Sequence, residues 1–161
     1  MCQSKGTIPA SRESNTSHWQ QVQAIIRDGA VVPDPRTQII TDLSRFIDER
    51  RNEGSEIILM ADANESITDE SLKWKEFVLS NSLHDVHSTL LQELPLPTRI
   101  GSKKRLDFIV ATKGILNYAH AAGYRALHEA IVADHIMLWA DFDLKRFFGG
   151  KNPSIIPPQG R

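Results

Sequence analysis

Apolar residues recur along this chain with two distinct periods, and the changes of period divide it into elements. Trp19, Val22, Ile25 and Ile26 return at helical spacing before Gly29, which predicts a helix from His18 to about Arg27 with Ser17 as its cap. After Pro33-Asp34-Pro35, the residues Ile39, Ile40, Leu43, Phe46 and Ile47 share one face of a second helix. Pro35 suits its first turn, where the missing N–H is no loss, and Gly54 ends it. Glu56 to Ala61 is too short for a lone helix and β-branched at Ile57 and Ile58, so it reads as a buried strand of the parallel type. A third helix carries Leu72, Trp74, Phe77, Val78 and Leu79 behind a cap at Thr68 or Asp69, and Leu83 to Leu91 continues as a short helix.

Leu94-Pro95-Leu96-Pro97 is held extended by its prolines. Thr98 to Arg105 is a basic loop leading into a second strand, Leu106 to Val110. Ile115 to Ala119 reads as a turn or short helix, and Ala122 to Leu127 as an edge strand. The last strand, His135 to Leu144, alternates Ile136, Leu138, Ala140 and Phe142 with other residues. The organisation expected is a polar N-terminal segment over residues 1–17, a folded unit over 18–145 and a tail rich in Pro and Gly over 146–161. No internal repeat is evident.

Composition narrows the class. In 161 residues, 40% hydrophobic and 24% charged side chains suit one ordinary globular domain or a large piece of one, and exclude global disorder. A formal charge of −1 gives no net pull toward nucleic acid, so such binding would need a local basic patch. Cys2 is the only cysteine, which excludes a disulfide framework and a multi-cysteine zinc site. No apolar run approaches the roughly 18 residues of a membrane span, and the start lacks the apolar centre of a signal peptide. A soluble, intracellular protein, nuclear or cytoplasmic, is the expectation.

The chemistry concentrates where strand-like runs begin and end. Ala61-Asp62-Ala63-Asn64 closes the first, Arg105-Leu106-Asp107-Phe108 opens the second, and Ala133-Asp134-His135 precedes the third. Asp oxygens, an amide and an imidazole gathered at one sheet edge are what phosphoester hydrolysis assisted by a hard divalent cation requires. Asp62 and Asn64 alone could equally form an Asx turn or cap the next helix. Asp107 within an apolar run is harder to explain without a partner, because burying a lone carboxylate is costly. His84 and His87, three apart, have a spacing seen in metal sites, but no third ligand lies near them in sequence. Asp85 reads as a turn or cap residue.

These three signatures, in this order, resemble the second half of the endonuclease/exonuclease/phosphatase superfamily. The resemblance runs from about Trp19 to Leu144, with Ala61 for a usual Gly and Ala133 for a usual Ser. It implies an α/β fold, the second half of a four-layered α/β sandwich, in which two packed sheets are covered by helices. It also implies that the strands bearing the family's first Asn and its principal metal-binding Glu precede anything visible here. By that resemblance Asp62, Asn64, Asp107 and His135 are catalytic and Asp134 helps hold a magnesium or manganese ion. Asp62 would activate water, Asn64 would donate to the phosphate, and His135, oriented by Asp107, would assist the leaving oxygen. Arg36, Lys103, Lys104 and Arg105 would contact a phosphodiester substrate, and the domain is similar to non-LTR retrotransposon endonucleases. The expectation is a nucleic-acid endonuclease or other phosphodiesterase by ancestry, weakly active or inactive alone, with no membrane span and with self-association through an exposed sheet face. The alternative is a non-catalytic remnant or interaction half-domain.

Overall fold

In a computed structural model, residues 17–29, 34–66, 73–91, 96–125 and 134–150 are described. The chain divides between Asp42 and Leu43 into two units. The first contains α1 (Ser17–Arg27) and the opening turns of α2 (Pro35–Asn52). Asp34 caps α2: its carboxylate accepts the backbone N–H of Arg36 at 3.1 Å and the hydroxyl of Thr37. Both helices start where the apolar spacing and the punctuation of Gly and Pro place them. The caps expected for the third helix, Thr68 and Asp69, lie outside the described residues, as does most of the N-terminal segment.

In the second unit the remainder of α2 buries Ile47, while Phe46 from the same predicted face stays exposed with Arg50 over its ring. Arg51 donates to the carbonyl of Asn81 at 2.8 Å, and the Asn81 amide donates to Ser44 at 3.0 Å, which fixes α2 against the end of α3 (Lys73–Ser80). Gly54, at φ +81°, lets the chain turn out of the helix.

Three strands follow as an antiparallel sheet in the order β1-β3-β2, with β1 at Ile58–Asp62, β2 at Leu83–Asp85 and β3 at Asp107–Thr112. Two expectations are corrected here. β1 is not a buried parallel strand: it pairs antiparallel with β3 and lies at the sheet edge, where Ile58 is half-exposed and Met60 is 68% exposed. Leu83 to Leu91 is not one helix, because Leu83–Asp85 pairs with β3 and only Val86–Leu91 forms α4. The strand covered on both faces is β3. Ile109 and Ala111 join Val86, Ile115, Leu116 and Ala122 in the core, and Phe108 meets the Trp74 ring of α3 at 5.5 Å.

α5 (Lys113–Leu116) leads to β4 (Ala119–Arg125), which pairs antiparallel with β5 (Met137–Phe142) in a second, two-stranded sheet. Leu138, Ala140 and Phe142 of β5 pack onto the core below β3. α6 (Leu144–Phe147) then carries the chain into what the sequence suggested was tail. The architecture is mixed α/β with two small sheets, and among the described residues no helix is long and apolar enough to cross a membrane.

Candidate active site

Register brings the first two carboxylates together. Because β1 ends where β3 begins and the two run antiparallel, Asp62 is paired with Asp107 across the sheet. The third group arrives by a separate device. Arg99 forms an antiparallel bridge with His135, flanked by hydrogen bonds from the N–H of Ile100 to the carbonyl of Asp134 and from the N–H of Ile136 to the carbonyl of Thr98, each 2.7 Å. His135 Nδ1 then lies 2.9 Å from Asp107 Oδ2, and ligand atoms of Asp62, Asp107 and His135 all fall within 4.8 Å of one another.

That contact sets the charge of the imidazole. Donation from Nδ1 to the Asp107 carboxylate raises the His135 pKa above 6.5; partial desolvation opposes the shift, and the charges of Asp107, Asp62 and Asp134 add to it. With Nδ1 engaged, Nε2 is the nitrogen left to meet a substrate oxygen. Asp107 is itself held through its backbone. Its N–H donates to the Thr98 hydroxyl at 3.1 Å, and its carbonyl accepts Arg105 Nε at 3.0 Å. A cavity of about 360 Å³ opens beside the cluster, lined by Met60, Ile109, Ile136 and Leu138 together with the three polar residues.

Asn64 follows Asp62 at φ +50°, and its backbone N–H donates to Asp62 Oδ1 at 3.1 Å, an Asx turn that aims one carboxylate oxygen along the chain. Asp134 stands beside these three: one oxygen of its carboxylate, 63% exposed, meets Arg99 Nε at 3.0 Å, and the other lies 4.0 Å from His135 Nε2.

Arg105 requires a correction as well. It is buried, 4% exposed, and both terminal nitrogens grip the Asp85 carboxylate at 2.8 and 3.0 Å while its guanidinium lies over the Phe108 ring. Its charge is met inside the fold by that of Asp85. Asp85 also accepts the N–H groups of His87 and Ser88, capping α4. Lys103 and Lys104 are exposed on the loop before β3, where Ser102 braces the backbone of Lys104. Arg36 belongs to the first unit.

His84 and His87 do not converge on a metal. His84 is exposed on β2, whereas His87 is buried with Nε2 3.0 Å from the carbonyl of Gly123, and burial lowers its pKa. Thr98, Arg99 and Asp85 are the supporting residues that the sequence did not single out. A Thr following Leu-Pro-Leu-Pro carries no spacing signal, and Asp85 had been read only as a cap.

No protein-family model matches the sequence, and no curated protein matches it. Among solved structures, the 3′-5′ exonuclease NExo from Neisseria meningitidis matches with a TM-score of 0.57 and 18% identity over 66% of this chain and 53% of that one. The 3′ phosphatase NExo from Neisseria bound to product DNA hairpin matches with a TM-score of 0.57 and 17% identity over 66% and 52%. The chain spans about half the length of these structures. These structures have a fold of the endonuclease/exonuclease/phosphatase type, and at such identities the likeness to them is one of fold alone.

Proposed function

We propose that the stretch of chain over residues 18–145 corresponds to the second half of a four-layered α/β sandwich whose chemistry is metal-assisted hydrolysis of a phosphoester in nucleic acid. The observation that carries this reading is the meeting of Asp62, Asp107 and His135, drawn from three chain segments, within 4.8 Å. Two carboxylates side by side make a suitable donor set for a hard divalent cation. Magnesium or manganese, which accept carboxylate oxygen and keep several waters, would fit Asp62 and Asp107. Bound there, the ion would neutralise charge building on the phosphate.

The residues' own tasks follow from their geometry. Asp62 orients and accepts a proton from the attacking water. His135, held through Nδ1 by Asp107, would in its protonated form donate from Nε2 to a phosphate oxygen or to the departing one. Asn64 donates to a non-bridging oxygen, and Lys103 and Lys104 attract the backbone of the nucleic acid. Because a similar structure carries a DNA hairpin product, a 3′ end is the first substrate to try, beside the internal cut made by retrotransposon-type endonucleases. An intracellular site of action, nuclear or cytoplasmic, goes with such a substrate.

About half of each matched structure has no counterpart here, so we expect weak turnover from the chain alone. The experiment pairs binding with activity. Manganese should broaden the NMR signals of Asp62 and Asp107 selectively, and a DNA hairpin ending in a 3′ phosphate should bind the native chain more tightly than His135→Ala. Slow metal-dependent release of phosphate or nicking of plasmid should fall at least ~100-fold in Asp62→Ala and His135→Ala, the usual scale for losing one stabilising group. Absence of both manganese broadening and DNA binding would overturn the phosphoesterase reading in favour of a non-catalytic interaction half-domain, which the exposed apolar edge at Met60 also favours.

A further inference from the structure

Thr98 lies outside the proposed catalytic cluster, yet it is fully buried and bonded to both segments that build it. Its hydroxyl accepts two successive backbone N–H groups, Leu106 at 2.9 Å and Asp107 at 3.1 Å, and so fixes the entry to β3. Its carbonyl accepts the N–H of Ile136 at 2.7 Å, next to His135. Arg99 continues the hold through the bridge to His135 and its side-chain contact with Asp134.

A buried threonine that satisfies loop N–H groups is an ordinary structural feature. What sets this one apart is that one residue joins the two segments whose side chains must meet. The hydroxyl is bonded to the backbone at Asp107, and the carbonyl to that of Ile136, the neighbour of His135. Both bonds flank the 2.9 Å contact between Asp107 Oδ2 and His135 Nδ1. A valine of the same shape would keep the carbonyl and remove the acceptor, leaving two buried N–H groups unpaired.

We infer that Thr98 is a positioning residue for the Asp107–His135 pair, acting through its hydroxyl on the backbone of Leu106 and Asp107. The inference rests on reading that pair as catalytic, but its test does not need turnover. The whole chain, labelled with 15N and free of metal and substrate, is compared as native protein, Thr98→Val and Thr98→Ser. In native protein the Leu106 and Asp107 amides should exchange slowly, and Asp107 should protect a His135 Nδ1–H resonance. Thr98→Val should speed exchange at those two amides by about tenfold, the equivalent of one hydrogen bond's net worth, and abolish the His135 resonance while spectral dispersion elsewhere persists. Thr98→Ser, which keeps the hydroxyl, should restore both signals.

A folded Thr98→Val chain that retains the His135 resonance overturns the inference, because the hydroxyl would then cap β3 without setting the pair. If Thr98→Val fails to fold, Thr98→Ser decides: retention of the resonance supports the inference, and its loss from a folded chain defeats it. A native chain that shows the Thr98-dependent resonance but binds neither manganese nor DNA would remove the phosphoesterase reading and leave the positioning role standing.

Discussion

At the scale of single residues, the surroundings of two histidines push their pKa values in opposite directions. The His135 pKa is raised, chiefly by its hydrogen bond to Asp107, so its contribution to stability is fully present below the unfolded value of 6.5 and is lost as pH rises through the elevated folded value. The His87 pKa is lowered, chiefly by burial, so below 6.5 the unfolded chain takes up a proton that the folded chain refuses, and stability falls. In native protein these effects partly cancel on acidification. Asp107→Asn removes the first, and thermal melts between pH 7.5 and 5.5 should then show a steeper loss of stability toward acid than in the native chain. An unchanged slope would mean that the Asp107–His135 contact does not persist in solution. The meeting of Asp62, Asp107 and His135 was legible in the sequence because they stand at the ends of apolar runs, where side chains from different strands can come together. Arg105 was misread for an equally physical reason. In Lys103-Lys104-Arg105 all three cations look alike, and what separates the last is a carboxylate 20 residues earlier, Asp85, brought close only by the pairing of β2 with β3.

At the scale of elements, long periodic stretches could be read and short ones could not. The starts of α1 and α2 follow directly from Ser17 and Pro35, whereas β2 has only three residues, too few for any period to register. The orientation of β1 was also hidden: an apolar run signals burial, but its direction depends on which strand lies beside it. One junction between elements makes a sharp prediction. The Glu56 carboxylate accepts the Thr112 hydroxyl and the Ile115 N–H at the start of α5, and a Cβ on Gly114 would lie 1.9 Å from Glu56 Oε1. Gly114→Ala should therefore yield none of the ~1 kcal/mol that alanine ordinarily adds within a helix. In a Glu56→Ala background the same substitution should become stabilising. A double-mutant cycle by urea denaturation reads the coupling, expected to be at least about 0.5 kcal/mol for groups in contact. Additive effects would show that the carboxylate does not occupy that space.

At the largest scale, the decisive feature of the second unit is that, among the described residues, two of its strands end their sheets. β1 ends one sheet and β5 ends the other, and each leaves one row of backbone N–H and carbonyl groups without a partner strand in its sheet. Met60, Met137 and Trp139 are exposed on these two edge strands, and Ile58, Leu144 and Phe148 line a second apolar cavity toward the opposite end of β1. Natural proteins blunt open edges with charges, prolines or covering segments, and the Ile58–Ala61 run of β1 carries none of these before Asp62. On the exposed edge residues alone, we propose that a second copy pairs along β1. Light scattering on the purified chain should give a mass above the 18.1 kDa of one copy that falls on dilution. Met60→Lys should shift it toward monomer, since a charge on an edge strand opposes pairing and Met60, at 68% exposure, contributes little to the core. The native chain should also melt at modest temperature, because the apolar surface it leaves in water stabilises nothing. A monodisperse monomer with a cooperative transition above about 60 °C, the upper range for ordinary domains of this size, would show that the unit is complete as it stands, with Met60 simply a solvent-facing side chain.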